Sequence, residues 1–376
     1  MAADSVSTVL ITGGDGYLGL RVARQYLARS NADLLLWVRA RDEDELAAKR
    51  KRLGRLLQPW MERVRVEGGD LRSAAPFTRL DPRPIRTVVH AAAQARFNVA
   101  QTVAQAVNID GTARVLAFAR RCPRLERLAV LSTLHACGLQ SGRVEEAPFT
   151  AASGFANFYE WSKWEAEQHV LRDAADLPWR LLRIATVIAD DETGAIMQRN
   201  TFHRTLQLFY HGLLSLLPGD AATPLYFVTG DFVADAVYAL TETTDARGIY
   251  HLAHERGASC TLGELVATAC AIFERDPDFR RRRILPPLLC DWESFSALAE
   301  AVEGFSSPEV KHGVRSVAPF ARQLFSVKDV DHRRLVARYA AYRAPDARAL
   351  VAAVCTALLR SVWRHDASGT ARADAA

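Results

Sequence analysis

"VLITGGDGYLGLRVA", residues 9–23, decides the fold. An apolar run rich in β-branched residues ends in glycine, and helical periodicity follows. Gly13, Gly16 and Gly19 fall between the two. Glycines there permit a tight turn, close approach of backbone to a pyrophosphate, and close packing of the next helix. The N-terminus of that helix then faces the phosphates. The turn follows a strand and opens a helix, as a dinucleotide site requires.

Working outward, the alternation continues. "DLLLWVRA", "VRVEGGDL", "TVVHAAA", "RLAVLSTL" and "WRLLRIATVIA" read as buried strands, with helical stretches between them. Apolar strands alternating with helices imply an α/β fold, a doubly wound parallel sheet of Rossmann type. After about residue 190 the pattern changes, and beyond 261 it is mostly helical. The expected organisation is a dinucleotide-binding domain of 1–190 with about 225–255. A smaller, mostly helical C-terminal substrate lobe takes about 191–224 and 256–365, and 366–376 forms a disordered tail.

Composition excludes several classes. The 376 residues are 49% hydrophobic and 24% charged, as in ordinary globular chains. The six cysteines form no CxxC pair and no zinc spacing, which implies reduced thiols, no metal and a cytoplasmic setting. No apolar run approaches the ~20 residues of a membrane span. The net charge of +5 comes without a basic stripe interleaved with aromatics, so nucleic acid is not an expected partner.

The second strand bears on cofactor choice. An acid at its carboxyl end binds the ribose of NAD, and an arginine accommodates the 2′-phosphate of NADP. Asp33 lies at the wrong end, Arg39 and Arg41 lie at the right one, and Asp42 begins the next helix. NADPH is therefore the expected cofactor, with Arg39 on its 2′-phosphate.

"FYEWSKWEAE", residues 158–167, sets Tyr159 and Lys163 four residues apart, on one face of a helix. Beside a dinucleotide site the pair gains a meaning. Hydride transfer to a carbonyl develops an alkoxide, which needs a proton. A lysine cation near a phenol favours phenolate and lowers its pKa toward the working range. Ser132 and Thr133 stand at the end of the fifth strand, where a hydroxyl can orient the carbonyl oxygen.

Together these motifs resemble the extended short-chain dehydrogenase/reductases. The resemblance covers at least 6–255 and rests on TGGDGYLG (12–19), GGDL (68–71), HAAA (90–93), NIDGT (108–112), LST (131–133), YEWSK (159–163), LLRIATVI (181–188) and DFVADAV (231–237), in that order. Within that family the chain looks most like thioester-reductase-like and fatty-acyl reductase domains of male-sterility type. The resemblance implies Tyr159 as catalytic acid and Lys163 as its partner, also on the nicotinamide ribose. It implies Thr133 as the hydroxyl on the substrate oxygen, five residues before Gly138. Gly13, Gly16, Tyr17, Leu18 and Gly19 would hold the pyrophosphate. Asp70 and Leu71 would flank the adenine, Ala91 and Ala92 would line the cofactor, and Asn108 would support the site from behind. One departure is Ile184, where the family commonly has proline after the sixth-strand arginine, here Arg183.

The expected function is NADPH-dependent reduction of an acyl thioester, carried by an acyl carrier protein or CoA, or of the derived aldehyde. Alternatives on the same scaffold are a ketone reductase and a nucleotide-sugar epimerase or dehydratase. A non-catalytic dinucleotide sensor would lack the Tyr/Lys pair. Two features of the C-terminal lobe bear on substrate. "TLQLFYHGLLSLL" (205–217) reads either as lining for an acyl chain or as a core helix. "FRRRRI" (279–284) concentrates charge that would attract an anionic carrier, through Arg280–Arg283.

Overall fold

Thr8–Thr12 (β1) opens a sheet whose central strands are buried on both faces. The computed structural model describes residues 7–361 except 245–246 and 305–307; the expected disordered tail lies outside the described residues. After β1 come Asp33–Arg39 (β2), Val64–Gly69 (β3), Ile85–His90 (β4), Arg127–Thr133 (β5), Trp179–Ile184 (β6) and Gly248–Leu252 (β7). They form a seven-stranded sheet in the order β7-β6-β5-β4-β1-β2-β3, and every pairing is parallel. The order reverses between β1 and β4. In such sheets ligands bind outside the carboxyl ends of the strands at that reversal.

The crossovers are helical. Tyr17–Arg29 (α1) and Glu43–Leu56 (α2) follow β1 and β2. After β4 a helix over 101–120 (α3) passes through a π turn at Gln105–Ile109. Phe158–Asp173 (α4) follows β5 and Gly230–Thr241 (α5) precedes β7. Asn157 caps α4, accepting from the Glu160 N–H at 3.0 Å. Beneath the sheet, Trp37, Phe77 and Phe118 pack at centroid separations of 5.0 and 4.9 Å.

The described chain divides into two compact units. One comprises Met1–Ala185, Gly230–Ala253 and Val330–Tyr342; the other comprises Thr186–Thr229, His254–Asp329 and Arg343–Ala376. The first differs from the expected domain in two respects. Residues 330–342, assigned by sequence to the substrate lobe, belong with the sheet. Their helix, Arg333–Arg338 (α6), starts where the Arg334 N–H donates to buried Glu146 at 2.7 Å, and the Tyr339 hydroxyl donates to Asp235 on α5. These contacts are distant in sequence, so no local pattern announces them. The boundaries also shift. Thr186–Ala189 leaves the main sheet to pair with Phe227–Thr229, which places both strands in the second unit.

The second unit is mostly helical. Thr201–Tyr210, Leu262–Phe273 and Ala347–Ser361 supply much of its core, joined by short strand pairs. The 205–217 stretch is not one helix: the helix stops at Tyr210 and the chain continues to a strand at Leu216–Pro218. Leu206, Leu208, Phe209, Leu214 and Leu217 are buried in the core, and Phe209 meets Phe273 at 5.4 Å. Of the two sequence readings, the core helix holds for these side chains. Among the described residues no helix is long and apolar enough to cross a membrane.

Candidate active site

The glycine turn after β1 is made of backbone. Gly13 has a φ of +69°, and a Cβ there would lie 2.9 Å from the Cα and N of Ala92. A Cβ on Gly19 would lie 2.1 Å from the Gly13 oxygen. Both positions therefore need glycine. Ala91 donates its N–H to the Thr12 oxygen, so the ends of β1 and β4 meet at this turn. Gly16 is the N-cap of α1, with no capping side chain and no acid in the first turn. The end of α1 keeps its positive polarity for an anion. Tyr17 and Leu18 are partly exposed in that turn, and Arg21 stacks on the Tyr17 ring at 4.9 Å. From α2, Lys49 pairs with the Asp15 carboxylate at 2.8 Å and Arg52 donates to the Asp15 carbonyl at 2.6 Å. Lys49 thus offsets the one acid of the turn.

At the end of β2, Arg39 and Arg41 differ. Arg41 pairs with Glu45 at 2.9 Å. Arg39 is exposed, and its guanidinium has no hydrogen-bond partner among the described residues. Asp70 is gripped by Arg72, which with the more distant Arg39 charge holds its carboxyl below the usual range. Leu71 is only 4% exposed and its side chain sits against Gly111 in the core. Its side chain is therefore floor rather than open surface.

The end of β5 is made of side chains. Three consecutive β5 residues meet three positions of α4 spaced one turn apart. The Thr133 hydroxyl meets the Tyr159 phenol, the Leu131 carbonyl accepts from Lys163 Nζ at 2.8 Å, and the Ser132 hydroxyl donates to Glu167. Thr133 Oγ1 also accepts from the His135 N–H at 3.2 Å and lies 3.4 Å from the Ile184 oxygen. Ile184 keeps the strand register here, opposite Thr133 and Leu252.

The electrostatics differ from the sequence expectation in one respect. Desolvation of Tyr159 pushes its pKa up to about 12, while the Thr133 hydrogen bond pulls the other way. Lys163 points to the Leu131 carbonyl and does not lower it. The phenol holds its proton at neutral pH, which suits a donor. Burial pushes Lys163 down to about 8, opposed by the Glu167 charge. His90 lies behind. Thr112 donates to the Asn108 oxygen at 2.6 Å and so accepts from His90 Nε2–H; Thr12 accepts from the Ala92 N–H and donates to Nδ1. That fixes the tautomer, and burial, with the Lys163 charge adding to it, holds His90 neutral, its pKa down at about 3.

A buried polar row runs from this edge. Ser132, Arg183 and His251 are register partners across β5, β6 and β7. Arg183 is 0% exposed. It donates to both oxygens of Glu167, to the Ala147 carbonyl at 2.8 Å and to His251 Nε2 at 3.1 Å, and it stacks on Phe149 at 3.3 Å. The buried pair is thus held by hydrogen bonds in the guanidinium plane and by an aromatic ring on one face.

Sequence reasoning missed two residues near this edge, Phe97 against Tyr159 and His135 against Phe97. Phe97 packs edge-on to Tyr159 at 5.7 Å and to His135 at 5.4 Å. Phe97 lies in an irregular loop with no period to reveal it. His135 carried a signal, standing two residues past Thr133. Asn108 ties this region together: it accepts from the Gln94 N–H at 2.8 Å, donates to the Gln94 carbonyl at 3.0 Å, and donates to Ser162 on α4 at 2.9 Å.

In the second unit, the arginine run splits. Arg281 pairs with Asp278 at 2.7 Å, and Arg282 stacks on Tyr210 at 4.9 Å. The guanidinium groups of Arg280 and Arg283 are exposed without hydrogen-bond partners among the described residues. Leu285 and Leu288 follow, 80% and 69% exposed. No group of His, Cys, Asp and Glu among the described residues has the geometry to hold a metal ion.

A family profile described as male sterility protein matches residues 11–237. D-lysergyl-peptide-synthetase subunit 3 of Claviceps purpurea is 26% identical over 208 residues, half of this chain. The chain spans only 12% of that protein's length. A probable fatty acyl-CoA reductase 5 of Arabidopsis thaliana is 22% identical over 352 residues, covering 72% of this chain and 71% of the plant protein. The terminal R domain from the myxalamid PKS-NRPS biosynthetic pathway shares the fold, with a TM-score of 0.75 at 23% identity over 95% of this chain and 92% of that one.

Proposed function

The chain belongs to the male sterility protein family, and from that premise we propose that it is an NADPH-dependent reductase of acyl thioesters, with Tyr159 as proton donor. One observation carries the reading: the Thr133 hydroxyl and the Tyr159 phenol meet at the carboxyl edge of β5, with the Lys163 ammonium one helical turn away. That edge stands at the carboxyl end of the same sheet as a glycine turn that has no room for a Cβ at Gly13 or Gly19.

A bound reduced nicotinamide supplies the hydride. Gly13, Gly16, Tyr17, Leu18 and Gly19 hold the pyrophosphate against the N-terminus of α1. Arg39 is the free cation for the 2′-phosphate, and its exposure is what favours NADPH over NADH. Asp70 and Leu71 flank the adenine through their backbone, since Arg72 and the core take up their side chains. Ala91 and Ala92 line the cofactor where β4 ends. Lys163 holds the nicotinamide ribose, for which its ammonium must turn from the Leu131 carbonyl.

Thr133 donates to the carbonyl oxygen and orients it. Tyr159 gives that oxygen a proton as negative charge develops. The substrate is an acyl group on a carrier protein or CoA. Both partners are anionic, and Arg280 and Arg283, beside exposed Leu285 and Leu288, supply charge and apolar surface for one. The test is to supply NADPH with panels of acyl thioesters, aldehydes, ketones and nucleotide sugars and follow absorbance of the reduced nicotinamide. Turnover of thioesters supports the reading; turnover of ketones or sugars alone replaces it.

A further inference from the structure

Leu134–Cys137 is a 3-10 turn that leaves β5 directly after Thr133. Leu134, Ala136 and Cys137 are buried, and His135 alone of the four is partly exposed. The His135 N–H donates to Thr133 Oγ1 at 3.2 Å, so the imidazole branches from the residue that touches the candidate catalytic hydroxyl. Its ring meets Phe97 edge-on, at 84°. Phe97 in turn meets the Tyr159 ring at 63°. Phenol, phenyl and imidazole thus form a continuous wall, and the Asn108 bonds to Gln94 and Ser162 tie the Phe97 loop to the helix of Tyr159.

The scheme above gives the carbonyl oxygen two partners and the sulfur none. Hydride addition to a thioester gives a tetrahedral carbon bearing oxygen and sulfur. Tyr159 protonates the oxygen, giving a hemithioacetal. On collapse the C=O bond re-forms, the hydroxyl proton returns to Tyr159, and the C–S bond breaks with its electron pair on sulfur. A proton on that sulfur completes the thiol. Imidazole is the side chain suited to give one near neutral pH. We propose that His135 is a further catalytic residue, the general acid for the departing sulfur; the assignment rests on the thioester reading. The balance is thioester, NADPH and one proton giving aldehyde, thiol and NADP. The imidazole takes its next proton from solvent.

An aldehyde has no leaving group, and that makes the role separable. The unmutated protein and His135→Gln are compared on an alkyl thioester, a thiophenyl ester of the same acid, and the matching aldehyde, with NADPH affinity followed by its fluorescence. His135→Gln should lower the thioester-to-aldehyde ratio of kcat by ~10²-fold. The thiophenyl ester, whose thiolate leaves without help, should recover most of that loss. NADPH affinity should hold within about twofold, which certifies the fold. Equal losses on thioester and aldehyde, or no gain from the acidic leaving group, overturn the proposal and reduce His135 to part of the wall. Failure of the unmutated protein on every thioester overturns the parent reading as well, and that outcome is distinct.

Discussion

The glycine turn after β1 and the β5–α4 edge belong to one unit, yet they are built from different materials. At the turn the working surface is backbone, and the requirement is the absence of atoms: Gly13 and Gly19 have no room for a Cβ. At the edge the requirement is charge. Lys163, Glu167 and Arg183 are 4%, 1% and 0% exposed, and each is held by named partners. The difference teaches where damage should appear. Change at the turn should be felt by the ligand, whereas change among the buried charges of the edge should be felt first by the fold.

The largest expected effect breaks the buried pair. Glu167→Ala leaves Arg183 uncompensated in the interior, which should cost ~3–5 kcal/mol of stability. Replacing both partners by apolar residues of similar volume should recover much of the loss. Urea unfolding reads both, and a cost under ~1 kcal/mol would mean the pair is not what holds α4 to the sheet. Gly19→Ala is the counterpart at the turn. Its Cβ collides with the Gly13 oxygen, so NADPH affinity should fall by ~10²-fold, about 2.7 kcal/mol. Titration of NADPH fluorescence checks it, and unchanged affinity would remove the cradle from the account.

This contrast also explains what could be read from sequence. Gly13, Gly16 and Gly19 were legible because a turn of this kind constrains residue type locally. Tyr159 and Lys163 were legible because helical spacing puts them on one face. The polar row was not legible. Ser132, Arg183 and His251 meet only through the register of three parallel strands, and no single stretch records that register. The family's habit of proline after Arg183 drew attention to Ile184 rather than to the arginine itself. Residues 330–342 joined the sheet through contacts more than 100 positions away in the chain, beyond any local pattern. The arginine run was half legible: its charge was plain, but stacking on Tyr210 and pairing with Asp278 leave Arg280 and Arg283 as the free pair.

Two smaller effects sharpen the comparison. Arg39 is exposed at the end of β2, so Arg39→Ala should leave stability unchanged within ~0.5 kcal/mol. It should remove a preference for NADPH over NADH of at least about tenfold, ~1.4 kcal/mol. Equal affinities for the two cofactors in the unmutated protein would discard the assignment. The smallest effect lies in the second unit. Changing Arg280 and Arg283 to Glu should lower kcat/KM for a carrier- or CoA-bound acyl group and flatten its dependence on salt, since exposed charges steer encounter and salt screens them. Identical salt profiles in both proteins would take the patch out of the mechanism.

Tyr159→Phe tests the central claim most directly, because it keeps the ring against Phe97 and removes only the hydroxyl that carries the proton. The measurement is the single-turnover rate of hydride transfer from saturating NADPH to an acyl thioester, with NADPH affinity taken on the same preparations. The account predicts a fall of ~10²-fold or more in that rate, with affinity held within about twofold. A Phe variant that turns over at the unmutated rate would contradict it, and another group would then have to supply the proton.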